Sequence, residues 1–231
     1  MKNDKPFSFS YIRAPLLIIA VNTAVFFYLT GMSPGAEMFR RLVLSPHNLL
    51  DNGRVWCVLT SGFLHKNIMH LFFNSLGIFI FGCVVEHRFG FMKTLMIYIG
   101  ALVISMAISF GIYTFILNKN VALIGASGAL MGLISVAVLS DPFLITYETL
   151  LPVPVMLKGW MFLYADVKGL LGGEADGVSH IAHLAGFLSI TFIVYFLDRD
   201  DRRRIGKGFL INVFSFALFL ALNYHFNMIN A

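Results

Sequence analysis

Residues 69–85 read MHLFFNSLGIFIFGCVV, seventeen consecutive positions without an Asp, Glu, Lys or Arg. A run that is apolar on every face, rather than along one stripe, suits hydrocarbon better than the surface of a water-soluble bundle. Yet it carries His70 and Asn74, four residues apart and therefore on one face of a helix. Further largely apolar runs cover 14–30, 94–117, 125–139, 154–171, 178–197 and 209–226. With 58% hydrophobic and 13% charged residues, the composition predicts an all-α polytopic membrane protein. No repeat, low-complexity tract or long linker divides the chain, so residues 1–231 read as a single membrane domain.

The net charge of +5 does not point to nucleic acid, because the basic residues fall between apolar runs and no basic patch is interleaved with aromatics. Cys57 and Cys83 have neither disulfide-framework nor zinc-site spacing. The first run follows Lys2, Lys5 and Arg13 without a small-residue cleavage site and reads as a retained anchor. Residues 32–64, with Trp56, are too long for a simple turn and are expected to lie partly in the interface.

Lysine and arginine placement sets the orientation. A cytoplasmic N-terminus puts Lys2, Lys5, Arg13, Arg88, Lys93 and the cluster Arg199, Arg202, Arg203, Arg204 and Lys207 inside, which outnumbers the basic residues left outside. The C-terminus is then external, and the expected location is the cell membrane. Depth follows from a helical rise of about 1.5 Å per residue. Ser127 lies about 21 Å above Asp141, and His183 lies about 22 Å above Asp198. Counted from Glu86, Asn74 is at about 18 Å and His70 is at about 24 Å. Four polar groups from three runs meet near one plane.

That set suits acyl transfer. A serine hydroxyl attacks only if a neighbouring imidazole takes its proton, and the same imidazole can then protonate the departing amine. Ser127 and His183 fit these roles. The side chains of His70 and Asn74, with the Ser127 backbone N–H, are candidate donors to the oxyanion. Gly125 and Gly128 flank the serine, allowing a sharp turn and an accessible hydroxyl, and Gly128 and Gly132 give the fourth run a small face. Small residues at 182, 186 and 189 offer a matching surface on the sixth. Non-helical backbone just before Ser127 requires a protein-lined, wet pocket open to the outside.

These residues carry a resemblance. Gly125-Ala126-Ser127-Gly128 is similar to the GxSG motif of the rhomboid intramembrane serine proteases, and residues 65–74, HKNIMHLFFN, match the family's HxxxxHxxxN signature. Ala182-His183-Leu184-Ala185-Gly186 resembles its AHxxG motif. Three motifs in order and at consistent depth are a specific signal. The resemblance covers residues 14–197. It implies a six-helix rhomboid-like core, with 209–226 as one extra C-terminal transmembrane helix. It also implies a Ser127–His183 dyad with no third acidic member, oxyanion donors at His70 and Asn74, structural support from His65, and no metal or cofactor. Substrates would be single-pass transmembrane proteins in the lipid bilayer, cut within or near the span. A catalytically inactive relative that binds membrane proteins is the alternative, and the intact Ser and His count against it.

Three departures stand out. Trp56 is followed by Cys57 where the family usually has arginine, with Arg54 upstream. Met131 replaces an aromatic residue expected to stack on the histidine. Ile190 replaces a second glycine after Gly186, which should loosen the contact between the fourth and sixth runs. His180, one turn before His183, reads as interfacial, since no acidic third ligand is expected at that depth. Trp160 and Tyr164 read as interfacial or lipid-facing, Asn22 as helix glue, and Glu86 and Arg88 as structural. The fifth run, interrupted by Pro152, Pro154, Lys158, Asp166 and Lys168, is expected to be loosely held and, with loop 172–177, to move as a gate.

Overall fold

The computed structural model describes residues 11–31, 35–146, 153–172 and 179–229. Its helices are α1 (Arg13–Gly31), α2 (Gly35–Leu42), α3 (Cys57–Thr60), α4 (Ile68–Phe89), α5 (Phe91–Gly111), α6 (Ser127–Ser140), α7 (Val155–Leu171), α8 (His180–Leu188), α9 (Ile190–Ile193) and α10 (Arg199–Ile229). A two-stranded antiparallel ribbon, β1 (Ile145–Thr146) and β2 (Val153–Pro154), leads into α7. Helices α1, α4 and the stretch Phe91–Ile116 are long and apolar enough to cross a membrane, and Ser127–Ser140 and His180–Phe196 are shorter apolar helices. The chain is an all-α polytopic membrane protein.

Helix α6 is the axis of the fold. Every residue after Ser127 in it is buried, which is why its sequence has no polar stripe. It packs against α4, α5, α8 and α10. Small residues permit the closest of these approaches. A Cβ at Gly186 of α8 would sit 2.8 Å from the Gly128 carbonyl carbon, and one at Gly132 would sit 3.3 Å from Ser189 Oγ. The small surface at 182, 186 and 189 does face α6. Ile190 lies just past this contact: α8 ends at Leu188, a new turn begins at Ile190, and that side chain enters the core.

Ion pairs close one end of the bundle. Arg88 donates to Asp141, and Arg204 Nη1 lies 3.8 Å from the same carboxylate, joining α4, α6 and α10. Lys93 pairs with Asp198 at 2.6 Å and with Asp201. Buried Glu86 accepts from Ala14 N at 2.7 Å and lies 3.7 Å from Arg13. It thereby caps the first turn of α1, where backbone donors have no helical partner. Glu86 and Arg88 are therefore structural. The basic cluster at 199–207 forms the first turns of α10, continuous with residues 209–226.

Residues 35–63 fold as short helices, including a π turn at His47–Asp51 and a 3-10 turn at Ser61–Phe63. Arg54 Nη1 donates to Asn48 Oδ1 at 2.7 Å, and Asn48 donates to the carbonyls of Arg40 and Val43, both at 2.7 Å. Buried Cys57 sits 3.3 Å from the Arg41 carbonyl. The arginine two residues before Trp56 thus anchors the loop despite the departure at Cys57.

The fifth run becomes α7. Lys158 and Asp166 are buried and point inward. Trp160 also makes a tie between helices: its Nε1 donates to Asn212 Oδ1 at 3.0 Å, and Asn212 donates to Val138 O at 3.1 Å, tying α7 to α10 and α6. Tyr164 is exposed, as a lipid-facing residue would be, and Asn22 reaches Tyr98 at 3.5 Å. Loop 172–177 lies, from residue 173 on, outside the described residues.

Candidate active site

The serine sits at the mouth of the central helix because the chain before it is extended. Leu123 N donates to Leu44 O at 2.8 Å and Gly125 N to Ser61 O at 3.0 Å. Residues 121–126 thus descend along the 35–63 segment with these backbone donors satisfied inside protein. Helix α6 then starts at Ser127. Its fourteen residues rise about 21 Å, the depth counted from the sequence. Ser127 occupies the first helical position, where backbone N–H groups lack helical acceptors and the helix dipole favours negative charge.

Gly125 makes the turn possible. Its φ of 110° lies where L side chains rarely go, and a Cβ there would lie 2.9 Å from His70 Nε2 and 3.9 Å from Ser127 Oγ. Glycine meets that conformation without steric cost. His70 is thus packed over the turn that presents the serine. Lys66 N approaches His70 Nδ1 at 3.5 Å, which leaves Nε2 as the ring's donor toward the turn. Asn67 accepts from His70 N at 2.8 Å, capping α4 and fixing where that ring begins. His65 is buried against His70 with ring centroids 5.0 Å apart, a supporting position. Burial, then the neighbouring His70, pushes its pKa down to about 4, since both disfavour the charged ring.

Asn74, one turn into α4 from His70, is buried, and its Nδ2 has no hydrogen-bond partner among the described residues. It lines a cavity of about 790 Å³ between α4, α6 and α7, together with Ser127, Met131, Asp166 and His183. A second cavity, of about 600 Å³, is bounded by the extended segment, Lys66, His70 and Tyr113. The two share Asn74, Ser127 and His183 in their walls. The first has mostly apolar walls, and the second lies beneath the loops.

Ser127 and His183 therefore both line these spaces. No hydrogen bond joins them among the described residues; such bonds often tighten only with substrate present. His183 is held from its other side instead. Its Nδ1 lies 2.7 Å from Asp166 Oδ1, and His180 Nδ1 lies 2.8 Å from the same oxygen. Two expectations fail here. His180 is buried rather than interfacial, and an acidic residue does lie at the level of the histidines. The dyad implied by the family resemblance has an acidic neighbour. Counting about 1.5 Å per residue from Pro154 puts Asp166 at about 18 Å, within a turn of His183, so the depth argument already contained it. The three candidate ligand atoms lie within 4.8 Å of one another, a set a divalent cation could use. The shared oxygen at 2.7 and 2.8 Å is equally the geometry of two imidazole donors on one acceptor.

A family profile for the Rhomboid domain matches residues 52–200. The rhomboid protease AarA of Providencia stuartii is 29% identical over 221 residues, covering 84% of this chain and 77% of its own length. The rhomboid protease GluP of Bacillus subtilis (strain 168) is 28% identical over 97% of this chain and 41% of its own length. RHOMBOID-like protein 5 of Arabidopsis thaliana is 30% identical over 72% and 52%. The chain thus spans only about half the length of several relatives it matches.

Proposed function

This chain belongs to the rhomboid family, and on that premise we propose that it is an intramembrane serine protease acting through Ser127 and His183 on single-pass transmembrane proteins. The observation that carries the proposal is the pair of cavities sharing Asn74, Ser127 and His183 beside a helix N-terminus.

The substrate chain enters from the α4/α7 side. There the facing helices line an apolar cavity, and Phe81 and Phe162 meet edge to face at 6.0 Å. Its scissile carbonyl must leave its own helix to be attacked, which small or helix-breaking residues near the outer end of the span make cheaper. Ser127 Oγ attacks the carbonyl carbon while its proton passes to His183 Nε2. The oxyanion is met by the Ser127 N–H and the side chains of His70 and Asn74, donors aimed where charge develops. His183 returns the proton to the departing amine, the C–N bond breaks, and an acyl-enzyme remains. Water entering from the second cavity gives a proton to His183 as its oxygen adds to the acyl carbon; the bond from that carbon to Ser127 Oγ then breaks, Oγ takes the proton back from His183, and the new carboxyl end leaves. The residues require no metal for this sequence. The motion that admits substrate separates α7 from α4, with the N-terminus of the protein cytoplasmic and the site open to the outside.

The test is incubation of purified protein in detergent with a single-span substrate. Cleavage by the wild-type protein and none by Ser127→Ala is expected. Cleavage that survives Ser127→Ala would remove the serine mechanism.

A further inference from the structure

We propose that Asp166 is a positioning residue for His183: its carboxylate accepts the His183 Nδ1–H, turns Nε2 toward the Ser127 hydroxyl, and is itself held by His180. This rests on the serine-protease reading and extends the Ser127–His183 pair by one member contributed from α7.

The geometry is specific. One carboxylate oxygen serves both imidazoles, at 2.7 Å to His183 and 2.8 Å to His180, with Asp166 and His180 each only 5% exposed. His180 and His183 both belong to α8 and, one turn apart, present the same face to α7. An ionised carboxylate only accepts, so each ring must donate from Nδ1. With Nδ1 committed to Asp166, Nε2 is the nitrogen His183 has left for the cavities it shares with Ser127. Gly169, one turn beyond Asp166, lets α7 lie this close, since a Cβ there would run into the His180 ring.

The arrangement also explains the departure at Met131. A flexible thioether in place of a stacking ring does not fix an imidazole plane, whereas a buried hydrogen bond does. When the serine proton reaches Nε2, the ring becomes positive beside a negative group in a site of low dielectric, where the stabilisation needs no reorganisation. Because Asp166 rides on α7, movement of that helix to admit substrate and the orientation of the base are mechanically linked.

Asp166→Asn keeps the shape and removes the charge. In detergent, kcat for a single-span substrate should fall about 10²- to 10⁴-fold with KM changed less than about threefold. A role confined to packing would instead lower stability and leave the kcat of the folded fraction intact. Nitrogen-15 spectra of histidine-labelled protein, with the His183 resonance assigned by its loss in His183→Ala, read the tautomer without requiring turnover. Nδ1–H in the wild type, lost or exchanged for Nε2–H in Asp166→Asn, is the expected result. Wild-type kcat in folded Asp166→Asn, or an Nε2–H tautomer in the wild type, overturns the proposal. If Asp166→Asn does not fold, the wild-type tautomer decides alone. A wild-type protein that cleaves nothing, or a Ser127→Ala variant that still cleaves, counts against the protease reading instead and leaves the tautomer result standing.

Discussion

Replacing Gly186 with alanine puts a methyl group where α6 and α8 meet backbone to backbone. The added Cβ would lie 2.8 Å from the Gly128 carbonyl carbon and 3.0 Å from its Cα, with the carbonyl oxygen nearer still, whereas ordinary contact begins at 3.4 Å. Backbone cannot rotate aside as a side-chain tip can, so the helices must part by roughly 1 Å, at an overpacking cost of about 1–3 kcal/mol. The displacement falls on the reacting pair, because Gly128 follows Ser127 and Gly186 is one turn beyond His183. A misplacement of about 1 Å between reacting groups can lower a rate about 100-fold. Thermal unfolding in detergent, run beside cleavage of a single-span substrate, separates the two effects. The expected variant is folded, has a lower unfolding midpoint, and has kcat reduced about 100-fold with little change in KM. Wild-type kcat together with a wild-type midpoint would refute the claim that this glycine contact sets the distance between serine and histidine.

Ser127→Ala and His183→Ala should each abolish cleavage while leaving the unfolding transition in place. Asn74→Ala, which removes one proposed oxyanion donor, should lower kcat about 100-fold and leave the protein folded. Joining cysteines placed at Phe81 and Phe162, whose rings already touch, by a short thiol linker should cut cleavage of a transmembrane substrate about tenfold or more. Small probes should still reach Ser127, and undiminished cleavage would argue against entry between α4 and α7. His65 predicts a pH effect. Its folded-state pKa of about 4 is below the usual 6.5, so the stability it contributes is full above about pH 6.5 and is lost as pH falls toward about 4. The unfolding midpoint of His65→Gln should therefore change less across that range than the wild-type midpoint, and parallel curves would contradict it.

The sequence exposed those features that membrane burial forces on it. Runs such as 14–30 and 69–85 became α1 and α4 because an unbroken apolar stretch has few options in lipid. The common depth of Ser127, Asn74 and His183 followed from the fixed rise of a helix, and all three line the shared cavities. What stayed hidden depended on rotation about helix axes. Asp166 and Lys158 looked like misfits in the fifth run because depth counting does not say which way a side chain points, and both turn inward. Trp160 is usual at interfaces by type, yet here the buried Asn212 of α10 accepts its N–H. An ionisable residue at membrane depth was the signal available for Asp166, since such groups are functional by default.

The most direct measurement is mass-spectrometric mapping of the adduct formed when purified protein in detergent is treated with a fluorophosphonate, compared between wild type and His183→Ala. The account predicts a single modified serine, Ser127, labelled rapidly in the wild type and only at background in His183→Ala. Labelling of Ser127 that is indifferent to His183, or cleaving enzyme in which Ser127 stays unmodified, would contradict it.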